Sequence, residues 1–121
     1  MTYSGLEMAA ILKMAQVMAN ADGKVTNDET AIILAEMANF GAISKSDGLV
    51  LAAKAMSASD ALMVLKGMNT IQKKYVCGFL AAISAVDGID AKEIAVWQLT
   101  STLAQFPTMT INEALDFWSN H

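Results

Sequence analysis

Acidic side chains gather at two places in the chain: Asp22, Asp28 and Glu29 at the first, Asp87, Asp90 and Glu93 at the second. Carboxylate oxygens suit hard divalent cations such as calcium, magnesium or manganese better than zinc or copper. Asp22, Glu29, Asp87 and Glu93 are accordingly the candidate ligands of a divalent cation. The spacing excludes an EF-hand. With Asp22 as the first position, the third, fifth and twelfth are Lys24, Thr26 and Ile33, where that loop needs carboxylates. The same residues also make sense without a metal. Gly23 and Gly88 can take the positive φ common just past a helix end. Thr26 and Asp90 can cap the helix that follows, and Glu29 and Glu93, three residues on, can reach back to complete a capping box. Val25 and Ile89, directly before those caps, can staple onto the first turn.

The remaining chemistry is sparse. A nucleophile near neutral pH needs a base, usually histidine, and the only histidine is the terminal His121. There is no glycine-rich phosphate loop and no helical His-Glu-x-x-His. The single cysteine, Cys77, lies in an apolar stretch and reads as a small buried hydrophobe. These residues predict a protein that is not an enzyme. The net charge is −4, and all eight basic residues are lysines. Without arginine there is no bidentate clamp for phosphate or guanine, and an acidic chain is repelled by a nucleic-acid backbone. Nucleic acid is therefore excluded as the expected partner.

Residues of this kind need a frame, and the frame reads as all-α. The chain has 121 residues, 55 % of them hydrophobic, enough for one domain over 1–121 with a real core. Ser4 and Glu7 form a capping box, and Leu6, Ala10, Met14, Val17 and Ala21 follow helical spacing. That first helix is expected to be mostly buried. A second helix is predicted from Asn27 to Phe40, closed by Gly41. Two short ones follow, from Ser44 or Ser46 to Lys54 or Met56 and from Ser57 or Ser59 to Lys66, the latter with Leu62, Met63 and Leu65 inward. A fifth begins near Asn69; its second half, Tyr75 to Val86, is apolar on all sides and should be packed all round. A sixth runs from about Ala91 to Gln105, with Ile94, Trp97 and Ser101 on one face and Ala95, Leu99, Thr102, Leu103 and Phe106 on the other, and Pro107 stops it. Thr110 and Glu113 box the start of the last. The sum is a compact bundle of about seven helices, with no strand signal.

Two of these helix pairs match. Before the turn the offset is 65 residues: Met14, Val17, Met18 and Ala21 fall on Phe79, Ala82, Ile83 and Val86. After it the offset is 64: Ala31, Ile32, Ile33 and Ala35 fall on Ala95, Val96, Trp97 and Leu99. The pattern predicts an internally duplicated helix-turn-helix pair. With Ala21-Asp22-Gly23-x-Val25-x-x-x-Glu29 in one half and Val86-Asp87-Gly88-Ile89-x-x-x-Glu93 in the other, the chain resembles the TerB-like family of tellurite-resistance proteins, which also takes in the N-terminal domain of DjlA-type co-chaperones. The second copy is one residue shorter between its aspartate and its glutamate.

The resemblance implies a helical bundle without enzymatic activity, with acidic residues suspected of metal binding and a link to tellurite or other stress. The leading expectation is a protein-interaction or scaffolding module, with a protein partner or a second copy covering its excess apolar surface. The alternative is a sensor of a divalent cation at the acidic turns. Nine methionines suit either an adaptable partner groove or gap filling in an alanine-rich core. The longest apolar run, Tyr75 to Val86, is too short to span a bilayer. No secretory leader is evident, and the expected location is cytoplasmic.

Overall fold

The computed structural model describes residues 3–19, 33, 35, 37–38, 46–85 and 91–120. All regular structure among them is helical. Six helices follow in order: α1 (Gly5–Ala19), α2 (Ser46–Ala55), α3 (Ala58–Lys66), α4 (Thr70–Ala85), α5 (Ala91–Leu103) and α6 (Ile111–Ser119). Ile33, Ala35 and Met37 are helical as well, and Ile33 and Met37 are buried in the same core. They fall inside the helix expected from Asn27 to Phe40; its other residues, apart from Ala38, lie outside the described ones. Both acidic turns do too.

Side-chain caps set the helix starts. The Ser4 amide donates to Glu7 Oε1 at 2.8 Å, and the Glu7 amide donates to Ser4 Oγ at 3.1 Å. Thr110 and Glu113 repeat the arrangement at 2.9 and 3.1 Å. A third reciprocal pair opens α4: the Gln72 amide donates to Asn69 Oδ1 at 2.8 Å, and the Asn69 amide to Gln72 Oε1 at 3.2 Å. At α3, Ser57 Oγ accepts from the Asp60 amide. Each such cap satisfies amides that the helix itself leaves open. A bend of 104° separates residues 48–55 from 58–66, so α2 and α3 wrap around α1 instead of continuing one another. No single helix among the described residues is long and apolar enough to cross a membrane.

Two helices organise the packing. The first, α1, touches α2, α3, α4 and α5, while α4 touches α1, α5 and α6. The inner face of α1 carries Ile11, Leu12, Met14 and Met18, all buried. In α4, every residue from Val76 to Ala81 is buried, as its apolar run predicts. Gly78 lies in that run because α6 comes so close. A Cβ there would stand 3.0 Å from the Ala114 carbonyl oxygen and 3.0 Å from Trp118 Cβ. Missing side-chain bulk, not backbone freedom, is what this glycine contributes.

The helices decide burial in places where spacing did not. Met63 is 67 % exposed, and Leu6 also faces solvent. On α5 the buried residues are Trp97 and Thr100, with Ala104 just beyond, while Leu99 is 59 % and Leu103 50 % exposed. The apolar residues of α5 are spread around its circumference, so composition alone does not select a face. The Trp97 indole, bonded to α4, selects it. Lys73, in the first half of α4 beside Gln72 and Lys74, is buried against the turn after α5, where its Nζ donates to the Gln105 carbonyl at 3.4 Å.

The end of α5 is a Schellman turn. The Phe106 amide donates to the Ser101 carbonyl at 2.9 Å and the Gln105 amide to Thr102 at 3.3 Å. Gln105 has φ 57°, the only positive value at a non-glycine residue among those described. The left-handed conformation costs a residue with a Cβ about 1 kcal/mol. Gln105→Gly is therefore expected to raise stability by about 0.5–1 kcal/mol in urea titration. A loss would show that the glutamine side chain makes a compensating contact.

Candidate functional site

One flank of α5, the turn that follows it and the start of α6 enclose an open groove of about 720 Å³, within the range of small-ligand and peptide pockets. From α5 come Trp97, Gln98, Ser101 and Thr102; from the connector, Gln105 through Thr110; from α6, Ile111 and Glu113. The helix period explains the α5 contribution, because residues three and four apart share a face. The Schellman turn and Pro107 reverse the chain and hold the connector as the opposite wall.

Each potentially reactive group at or below this groove already has a structural task. The Trp97 Nε1–H donates to the Cys77 carbonyl of α4 at 3.1 Å, which fixes the indole as part of the floor. Beneath it the Cys77 thiol lies 4.0 Å from Ser101 Oγ. Burial pushes this thiol up to about 11, and the Ser101 contact offsets only part of that. A thiol at that value holds about a hundredfold less thiolate near neutrality than an ordinary one at 9.0. An aromatic disulfide reagent at mildly alkaline pH is expected to label Cys77 at least ~100-fold faster in denaturant than in the folded chain. Comparable rates would mean that the α4–α5 contact opens readily. Glu113 is held below the usual carboxylate range, chiefly by the Thr110 amide and then by the Thr110 hydroxyl. Its charge is thus fixed at the edge of the groove by the cap of α6. Among the described residues no lysine lines the groove.

Of the residues expected to hold a cation, Asp22, Glu29 and Asp87 lie outside the described residues. Glu93 stands in the first turn of α5, half-buried. Among the described residues no group of three or more His, Cys, Asp or Glu side chains is placed to hold a metal ion. The groove was not legible in advance. Its wall is an irregular connector, and its residues carry no motif; the one local signal was Pro107 directly before the Thr110–Glu113 cap.

No family model matches the chain, and no curated protein matches it. Among solved structures, the crystal structure of a protein of unknown function from Porphyromonas gingivalis is similar, with 42 % identity over 99 % of this chain and 92 % of that one, at a TM-score of 0.85. This chain belongs to the same family as that protein. Family membership carries the helical architecture across nearly the whole length and brings no activity with it, because fold alone does not settle function.

Proposed function

We propose that this protein is a non-enzymatic interaction module of TerB-like type, acting in the cytoplasm and tied to tellurite or another stress response. The observation that carries this proposal is the open groove beside α5, with aromatic and aliphatic residues on its floor and hydroxyl and amide groups around them. Such a mixture suits recognition more than bond-making. The proposed scaffold is the seven-helix bundle with one helix-turn-helix pair duplicated. Burial supports it: at the five matched positions with both members described, the two halves agree. Met14 and Phe79, Met18 and Ile83, and Ile33 and Trp97 are buried; Val17 and Ala82 are half-buried; Ala35 and Leu99 are exposed. The motifs at Asp22-Gly23 and Asp87-Gly88 support the TerB-like assignment.

Affinity capture with the tagged full chain tests the proposal. A specific protein partner, competed away by untagged chain, is the expected result. Recovery of the bait alone would overturn it. The alternative, a sensor of calcium, magnesium or manganese, draws on the carboxylates Asp22, Glu29, Asp87 and Glu93. Calorimetric titration of the chain and of an Asp22→Asn/Asp87→Asn variant separates the two. Heat that disappears in the variant would favour the sensor; no heat at millimolar metal would remove it.

A further inference from the structure

We infer that the groove between α5 and α6 takes an extended peptide segment that combines apolar and basic side chains. This rests on the interaction-module proposal and adds the chemistry of the partner. Three side chains at the groove, Gln98, Gln105 and Thr108, are solvent-exposed and have no hydrogen-bond partner among the described residues. They differ from Thr102, whose hydroxyl is used on the Gln98 carbonyl, and from Ser101, which faces Cys77. Side-chain amides both donate and accept, as a peptide backbone requires. Gln98 stands on α5 and Gln105 at the left-handed turn just past its end, and both line the groove. An extended segment along this wall can meet both amides, with its side chains against the half-buried Pro107, Met109 and Ile111.

Charge decides which segments fit. Among the described residues Glu113 is the one ionisable side chain lining the groove, and its carboxylate is anchored by the Thr110 amide at 2.9 Å. The neighbouring cation, Lys73, is buried and spent on the Gln105 carbonyl, and it is not part of the lining. An acidic segment would meet like-charge repulsion at the exposed Glu113. A lysine or arginine would gain a charge-assisted bond there.

The test is panning of a display library of random segments, about eight residues long to match the groove, against the full chain. Enriched segments are then titrated by NMR. Enrichment of lysine or arginine beside apolar residues is expected, with shifts confined to α5, the connector and α6. Glu113→Gln is the informative variant, because glutamine keeps the capping box while removing the charge. It should weaken binding about two- to fivefold, the effect of an exposed ion pair, and Gln98→Ala/Gln105→Ala should weaken it by a similar factor. Enrichment of acidic segments, binding indifferent to Glu113→Gln, or no enrichment at all would overturn the inference. A natural partner captured equally well by wild type and by these variants would overturn it too, while leaving the interaction module standing.

Discussion

Replacing Phe79 by alanine is expected to cost about 4 kcal/mol of folding stability, the upper part of the range for large-to-small changes at buried aromatic sites. The ring is fully buried, among the largest side chains that are. It sits at the middle of α4, where that helix meets α1, α5 and α6, and its centroid is 5.6 Å from the Trp118 ring at a tilt of 60°. Three contributions are lost together: the transfer of the ring from water, the aromatic pair, and the packing around the cavity left behind. The first is the largest, because burying such a side chain outweighs the ~1 kcal/mol of a ring pair. The neighbours cannot easily collapse into the hole, since they stand on several different helices. Against a typical total of ~5–15 kcal/mol, the variant should be close to unfolding at physiological temperature. Urea titration followed by far-ultraviolet circular dichroism measures this directly. A loss below about 2 kcal/mol would mean that the core repacks, and that α4 is not its centre.

The second large effect is expected one residue earlier. Alanine is normally a better helix former than glycine by about 1 kcal/mol, so Gly78→Ala would stabilise an isolated α4. Here its new methyl group would stand 3.0 Å from the Ala114 carbonyl oxygen, 3.0 Å from Trp118 Cβ and 3.5 Å from the Trp118 amide nitrogen. Two of these are backbone atoms and the third is a Cβ, so none is the far end of a flexible side chain. Relief requires the whole of α6 to move. Overpacking of this kind costs ~1–3 kcal/mol, which outweighs the propensity gain and leaves Gly78→Ala destabilised by about 1 kcal/mol. Gly78→Val adds two further carbons in the same space and gains less helix propensity, so its expected loss is about 3 kcal/mol or more. The order glycine, alanine, valine in decreasing midpoint is the signature to seek. If alanine instead raised the midpoint, α6 would be sliding aside at no cost, and propensity alone would govern the site.

Much of the architecture is legible in particular residues. Ser4 with Glu7 and Thr110 with Glu113 announce helix starts because a hydroxyl and a carboxylate three residues apart can satisfy each other's amides without help from the rest of the fold. Tyr75 to Val86 announces a buried helix because it has no polar side to give to water. The candidate site was less legible. Spacing offered two faces of this helix without choosing between them; Leu99 and Leu103 proved exposed, while Trp97, Thr100 and Ala104 are packed inward. The groove borders the buried face at Trp97, and its shape depends on a connector whose course follows from a left-handed Gln105 and a cap several residues later.

Local spacing in the amino-acid sequence was thus enough to determine the all-helical class, the helix starts and the most apolar segment. Each of these depends on interactions between residues a few positions apart. Which side of α5 would be buried, why a glycine stands inside α4, and where a lysine could be hidden were decided only when the helices met. These outcomes depend on distances between residues remote in the chain: Trp97 reaching the Cys77 carbonyl, Trp118 pressing on Gly78 and Lys73 reaching Gln105. Periodicity within one helix carries no information about such encounters, because it describes a surface and not what will be laid against it.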